Sequence, residues 1–241
     1  MNRQPELSVV VLCYRGGQHI IPYIRRIHQQ LAANVRDFEL ILVANYDANA
    51  QDDKTPGIAA ALARELGNCT SIAEPKKGRM GWDLRQGLAH SQGKYISFLD
   101  GDGQTPPNDV VRLFHLIKEQ STDLCKTYRV YREDSHFRRT LSVIYNTLFR
   151  FFFPAVRLRD INAKPKILTR TAYNSMRLTS SDWFTDAEII LEAMRLNLKM
   201  SEVPGVTIAN NWRKSFVGLP AILEFLKNMV CYRILYWFVR K

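Results

Sequence analysis

Two aspartates one residue apart, Asp100 and Asp102, lie in the stretch Asp100-Gly101-Asp102-Gly103-Gln104, directly behind the apolar run Ile96-Ser97-Phe98-Leu99. On a loop made pliable by glycine, two such carboxylates can meet one hard divalent cation, Mg²⁺ or Mn²⁺, together with a ribose or a diphosphate. A cation held there would neutralise a departing diphosphate as a Lewis acid. A bare D-x-D serves equally well to solvate a turn or cap the next helix, so its setting decides. Here the motif ends a buried strand and is flanked by further informative segments, which favours chemistry.

Those segments are arranged as alternating strands and helices. Residues 7–13 form a short β-branched run closed by Tyr14-Arg15-Gly16-Gly17. Behind it Ile20, Ile21, Ile24, Ile27, His28 and Leu31 recur at helical spacing. The same signals predict strands at 38–44, near 69–73 and at 94–99, with helices at 57–66 and near 80–92. Beyond Pro106-Pro107 they predict a helix to about 119, a strand at 122–130, a long helix at about 137–153 and a strand at 164–169. A helix at 185–196, short strands near 199–203 and 205–209, and a last helix from Leu219 complete the chain. This alternation predicts an α/β fold with a mostly parallel sheet covered on both faces. Ligands of such sheets bind beyond the carboxyl ends of the strands, where the loops 14–17, 45–49 and 100–104 fall. One domain over 1–215, followed by an amphipathic helix over 216–241, suits a chain of 241 residues.

Net charge is +11, which suits polyanionic partners such as phosphorylated substrates, an anionic membrane surface or nucleic acid. The helix at 137–153 narrows that choice. It is mostly apolar, with Leu141, Val143, Ile144, Tyr145, Leu148, Phe149 and 151–153, while Arg138, Ser142, Asn146 and Arg150 recur every four residues. Arginine interleaved with phenylalanine fits a bilayer surface better than a nucleic-acid track, so no nucleic-acid partner is expected. The segment 229–239, rich in Tyr and Trp with Arg233 as its one charge, favours the headgroup region too, or else covers the sheet or a dimer contact. No uncharged stretch approaches the roughly 18 residues of a membrane span. The four cysteines form no C-x-x-C pair, which argues for reduced thiols and against zinc. The expected location is cytoplasmic, peripheral on the inner face of the membrane.

In order and spacing these segments resemble the inverting glycosyltransferases of the GT-A fold, in the branch of dolichol-phosphate mannose synthase and the polyprenyl-phosphate glycosyltransferases. The segment 7–14 resembles that family's first nucleotide-binding strand. Lys77-Gly78-Arg79-Met80-Gly81 through Gly87 to Lys94 is similar to its glycine-punctuated stretch, and 99–104 to its metal motif including the glutamine. Trp183-Phe184-Thr185-Asp186-Ala187-Glu188 and Glu202-Val203-Pro204 resemble two further family segments. The chain departs from the family at Tyr14-Arg15-Gly16, where Tyr-Asn-Glu is usual, and at Ala44-Asn45, where an Asp-Asp pair is usual.

The resemblance implies that Asp100, Asp102 and Gln104 serve the metal, and that Tyr14, Asn45, Arg79, Asp100, Gln104 and Arg213 bind a UDP- or GDP-linked sugar. It implies an acceptor-phosphate site of Arg129, Arg138 and Ser142, and it gives catalytic roles to Asp102 and Asp160. Arg170, Lys214 and Ser215 match positions that approach donor phosphates, and Asp186 and Glu188 match sugar or acceptor contacts. The implied reaction moves a sugar to a polyprenyl phosphate. That acceptor is largely ionised at neutral pH, with a second pKa of about 6, and needs no strong base. Transfer to a saccharide hydroxyl, a catalytically degenerate partner subunit, and assembly as a homo-oligomer or with a membrane-anchored subunit remain open.

Overall fold

The structure is a computed structural model that describes residues 4–50, 52–132, 136–209, 212 and 219–239. Its strands are β1 (Leu7–Leu12), β2 (Phe38–Val43), β3 (Cys69–Ile72), β4 (Tyr95–Asp100), β5 (Leu124–Arg132), β6 (Lys166–Thr169) and β7 (Met200–Thr207). They form one sheet in the order β3-β2-β1-β4-β6-β5-β7. All are parallel except β6, which runs antiparallel to both β4 and β5. The helices are α1 (Ile20–Asn34), α2 (Thr55–Glu65), α3 (Met80–His90), α4 (Asn108–Gln120), α5 (His136–Phe152), α6 (Arg170–Ser175), α7 (Thr185–Arg195) and α8 (Leu219–Val239).

Side chains of a strand alternate between faces, and β1 shows how this divides the core. Leu7, Val9 and Val11 pack with Ile20, Ile24 and Ile27 of α1 and Leu113, Phe114 and Ile117 of α4. Val10 and Leu12 pack on the other face with Leu84 and Leu88 of α3, Phe149 of α5 and Ile189 of α7. Because both faces are covered, β1 and β2 read as nearly continuous apolar runs, broken only by Ser8 and Glu39, which hydrogen-bond each other.

Two boundaries differ from the sequence reading. The strands expected near 199–203 and 205–209 are one strand, β7, since Pro204 and Gly205 remain in the ladder beside Tyr128 and Arg129 of β5. Pro is tolerated because β7 is an edge strand. The short α6, which gave no periodic signal, starts where the Thr169 hydroxyl accepts a hydrogen bond from the Ala172 amide.

Helix α8 is apolar around most of its circumference rather than along a single stripe. It is fastened to the body by polar contacts: Asn228 donates to Asp182 (2.7 Å) and Tyr232 donates to Glu188. Among the described residues no helix is long and apolar enough to cross a membrane.

Candidate active site

The acidic loop closes over the carboxyl end of β4. The Gly101 amide donates to the Leu12 carbonyl at 2.8 Å. A Cβ at Gly101 would stand 2.9 Å from that same oxygen, so only glycine lets the loop cross the end of β1 so closely. Gly103 has φ +81°, in the region that favours glycine. The Asp102 carboxylate accepts from the Gln104 amide at 3.0 Å. Gln104 is in turn tied to the segment after β7: its carbonyl accepts from the Ile208 amide (2.9 Å) and its side-chain amide donates to the Ile208 carbonyl (3.4 Å). From α1, Tyr23 donates to the Thr105 carbonyl at 2.7 Å. Burial, with Asp102 and Asp100 nearby, pushes its phenol well above the ordinary value, so it stays a neutral donor.

Asp100 is not alone at the rim. Its two carboxylate oxygens lie 2.9 and 3.2 Å from Nζ of Lys164, which is also 3.4 Å from the Asp186 carboxylate. Asp100 keeps 41% of its side chain exposed, against 7% for Lys164. The charged form of Lys164 is held by these two carboxylates against the cost of burial, and its pKa is raised. Among the described residues no three His, Cys, Asp or Glu side chains gather into a metal cage. That donor set suits Mg²⁺ or Mn²⁺, which bind through one or two carboxylates and complete their shells with phosphate and water.

Over the ends of β1, β2 and β3 lies a second polar group. Tyr14 donates to Asp47 at 2.6 Å, and Arg15 pairs with the same carboxylate at 3.1 Å. Burial and Asp47 push the Tyr14 phenol up to about 12. Lys76 sits over the Tyr14 ring, 4.1 Å from its centroid, and is salt-bridged to Asp83. Asn45 is 1% exposed. Its amide nitrogen donates to Asp83 (3.0 Å) and its amide oxygen accepts from the Glu74 amide (2.9 Å). These two bonds orient Asn45 within the fold, whereas Asp47 is more open, with 41% of its side chain exposed. Nearby, the ring of Trp212 stacks on His19 with centroids 4.4 Å apart. Arg79 precedes α3, where its amide donates to the Ser181 carbonyl (2.7 Å) and its side chain pairs with Glu224 of α8 (3.4 Å).

The other side of the acidic loop is built from buried charge. Arg129 grips Asp160 in a two-pronged pair at 2.6 and 2.8 Å, at the point where a bulge between Arg129 and Tyr131 interrupts the β5–β7 ladder. The pair holds the Asp160 carboxyl well below its usual range despite burial. Lys126 donates to the carbonyls of Thr127 (2.6 Å) and Asp160. Burial, with Lys166 alongside, lowers its pKa to about 7. Lys166 is fully buried and bonded to Asp186. Asn146 of α5 accepts from the Ile161 amide (3.0 Å) and donates to the Ser142 carbonyl (2.9 Å), so α5 is anchored to the loop that carries Asp160.

Antiparallel β6 decides which basic residues reach this edge. Lys166 pairs with Phe98 and Thr169 with Tyr95, so the chain before β6 lies at the carboxyl end of β4 and the chain after it lies at the opposite end. Arg170 is accordingly placed away from the acidic loop, donating to the Gly93 carbonyl (3.0 Å) and the Ser91 hydroxyl (3.1 Å). The expectation that it approaches donor phosphates, implied by the resemblance, does not hold for this placement. Glu188 is fully buried, accepting from the Thr179 and Ser180 amides. The side chain of Arg138, and all of Arg213, Lys214 and Ser215, lie outside the described residues. On α5 the expected polar stripe does not run along one exposed face. Asn146 is buried and Ser142 half-buried, while Val143, Ile144 and Phe151 face outward, Phe151 at 78% exposure.

Sequence reasoning missed Lys126, Lys164, Lys166 and Asp47. For Lys126 and Lys166 a signal was present: a lysine inside Leu124-Cys125-Lys126 or Lys166-Ile167-Leu168 must find a partner if the strand is buried.

The profile of the family described as "Glycosyl transferase family 2" matches residues 8–185. Among curated proteins, the undecaprenyl-phosphate 4-deoxy-4-formamido-L-arabinose transferase of Klebsiella pneumoniae subsp. pneumoniae is 28% identical over 145 residues. The match covers 60% of this chain and 43% of that relative, so the chain spans less than half of its length. Among solved structures, glucosyl-3-phosphoglycerate synthase of Mycobacterium tuberculosis, in complex with Mn²⁺, UDP and phosphoglyceric acid, superposes with a TM-score of 0.72 at 17% identity. That likeness covers 95% of this chain and 78% of the other. The same enzyme with Mn²⁺, UDP and glucosyl-3-phosphoglycerate gives 0.66 at 16% identity, over 96% and 79% of the two chains. These structures share the α/β architecture with its mostly parallel sheet, and the profile spans well over half of the sequence: the chain belongs to glycosyl transferase family 2.

Proposed function

We propose that this protein is a divalent-cation-dependent glycosyltransferase that moves a sugar from a nucleotide-sugar to a polyprenyl phosphate, at the inner face of the membrane and with inversion at the anomeric carbon. The observation that carries the reading is the D-G-D loop at the carboxyl end of β4, set between an open polar group over β1–β3 and a buried basic group around β5 and β6.

In this reading the nucleoside lies over Tyr14, Arg15 and Asp47, and its diphosphate reaches Asp102. Bound Mg²⁺ or Mn²⁺ supplies Lewis-acid neutralisation of the leaving diphosphate. Arg129, fixed by Asp160, and Ser142, one turn before Asn146 on α5, border the acceptor phosphate. An ionised phosphate oxygen is already a nucleophile, so the protein's task is alignment and charge placement rather than deprotonation. The outward apolar face of α5, with Val143, Ile144 and Phe151, and that of α8, with Val230 and Ile234, supports a lipid surface as the neighbour. The Klebsiella relative, named for an undecaprenyl-phosphate substrate, supports this acceptor class; the mycobacterial neighbour, crystallised with UDP and Mn²⁺, supports the donor side.

The test is transfer by purified protein from UDP- and GDP-sugars to a short polyprenyl phosphate, with Asp102→Asn beside wild type. Transfer should fall by a factor of about 100 or more in the variant. Equal rates would remove Asp102 from the reaction. A saccharide hydroxyl accepted in place of the phosphate would overturn the acceptor assignment.

A further inference from the structure

Lys164 has a place in this site that the D-x-D pattern does not anticipate. Its ammonium group is within hydrogen-bonding reach of both oxygens of Asp100, at 2.9 and 3.2 Å, and 3.4 Å from Asp186. It is 7% exposed, held where antiparallel β6 begins, with the Met80 sulfur 3.7 Å away. Asp186 is itself bonded to buried Lys166, so the two carboxylates and two lysines form a continuous run, Asp100–Lys164–Asp186–Lys166. The charge in that run sums to zero without any added ion. An approaching divalent cation would meet at Asp100 a carboxylate whose charge Lys164 already neutralises. Displacing Lys164 would strand its charge in a nearly dry position, which is costly.

Resting on the donor-site reading above, we infer that Lys164 is a built-in cation of the donor site, which takes Asp100 out of the metal's coordination and leaves Asp102 as the single carboxylate of this loop that holds the divalent ion. Lys164 is a positioning residue in this scheme: it fixes Asp100 and determines how the ion is shared between protein and donor. One consequence is that the ion binds weakly to the protein alone and firmly only with a nucleoside diphosphate, because phosphate oxygens must supply what Asp100 withholds.

The experiment is a Mn²⁺ titration of the full chain followed by electron paramagnetic resonance, without nucleotide and with UDP or GDP. Wild type should bind Mn²⁺ appreciably only with one of the nucleotides. With that nucleotide, Asp102→Asn should weaken Mn²⁺ binding about a hundredfold, and Asp100→Asn far less, within about tenfold, since it removes a nearby negative charge but no ligand of the ion. Lys164→Gln should bind Mn²⁺ about tenfold more tightly than wild type, since it frees a carboxylate and removes a like charge. Equal losses in Asp100→Asn and Asp102→Asn would overturn the inference, even if Lys164→Gln fails to fold. So would an unchanged affinity in a folded Lys164→Gln. Absence of any nucleotide-dependent Mn²⁺ binding in wild type would instead overturn the donor-site reading beneath it.

Discussion

The two halves of the sheet handle charge in opposite ways. In the β3-β2-β1-β4 half the strands are mostly apolar and the open charge sits on a loop, Asp47 with Arg15. In the β6-β5-β7 half the charges are inside the strands and against them: Lys126, Lys166, Asp186 and Asp160 are all buried. A loop carboxylate in water is already solvated, so it can exchange water for a ligand at little cost. A buried charge must have its counter-charge supplied by the fold, which fixes its position before any substrate arrives. The first half is arranged to be completed by something from outside, and the second completes itself.

The sharpest way to break this comparison is to remove one partner on each side. Asp186→Ala leaves Lys164 and Lys166 without their shared carboxylate and should cost about 3–5 kcal/mol in denaturant unfolding. A loss below 1 kcal/mol would show that the buried half does not depend on its internal pairs. The outward face of that half comes next. The double variant Ile144→Asp, Phe151→Asp removes two apolar anchors worth roughly 1.5–3 kcal/mol each if they enter lipid. Flotation with anionic liposomes should drop at least about tenfold while far-UV circular dichroism is unchanged, and unchanged flotation would detach this face from the membrane.

A pH series sharpens the contrast further. The folded pKa of Asp160 lies below the unfolded value, so its pair with Arg129 adds stability that is fully present above about pH 4–5 and lost as pH falls. Asp160→Asn should therefore flatten the decline of Tm between pH 5 and pH 3. A decline as steep as in wild type would mean the pair is not what acid breaks. The smallest effect belongs to the open half: Asp47→Ala should change stability by less than about 1 kcal/mol, yet weaken nucleotide binding measured by calorimetry. A large loss of stability would show Asp47 to be part of the framework.

The open half was readable because its signals are local. Leu7–Leu12 and Phe38–Val43 are largely apolar runs, and the D-G-D loop directly follows Leu99. The buried half depends on contacts between residues far apart in sequence. Nothing near Asp160 announces Arg129, which is 31 positions away, and nothing near Asp100 announces Lys164, 64 positions away. The direction of β6 was the decisive unknown, because a strand of four residues carries no mark of its orientation. The resemblance matched Arg170 to donor phosphates, but the direction of β6 carries it to the opposite end and brings Lys164 to the acidic loop. The bonds that orient Asn45 were equally out of reach, since its partners Asp83 and Glu74 are 38 and 29 positions away.

One pairing in the sheet ties the two strands beside the acidic loop to the helices around them. Lys126 and Lys166 are directly opposite each other across β5 and β6, a match that would repel with both groups charged. The fold relieves it from outside the strands: Asp186 of α7 takes the Lys166 ammonium, and the Asp160 carbonyl accepts from Lys126, whose pKa is lowered. Removing either neighbour therefore loads the seam next to the place where the acidic loop and its lysine come together.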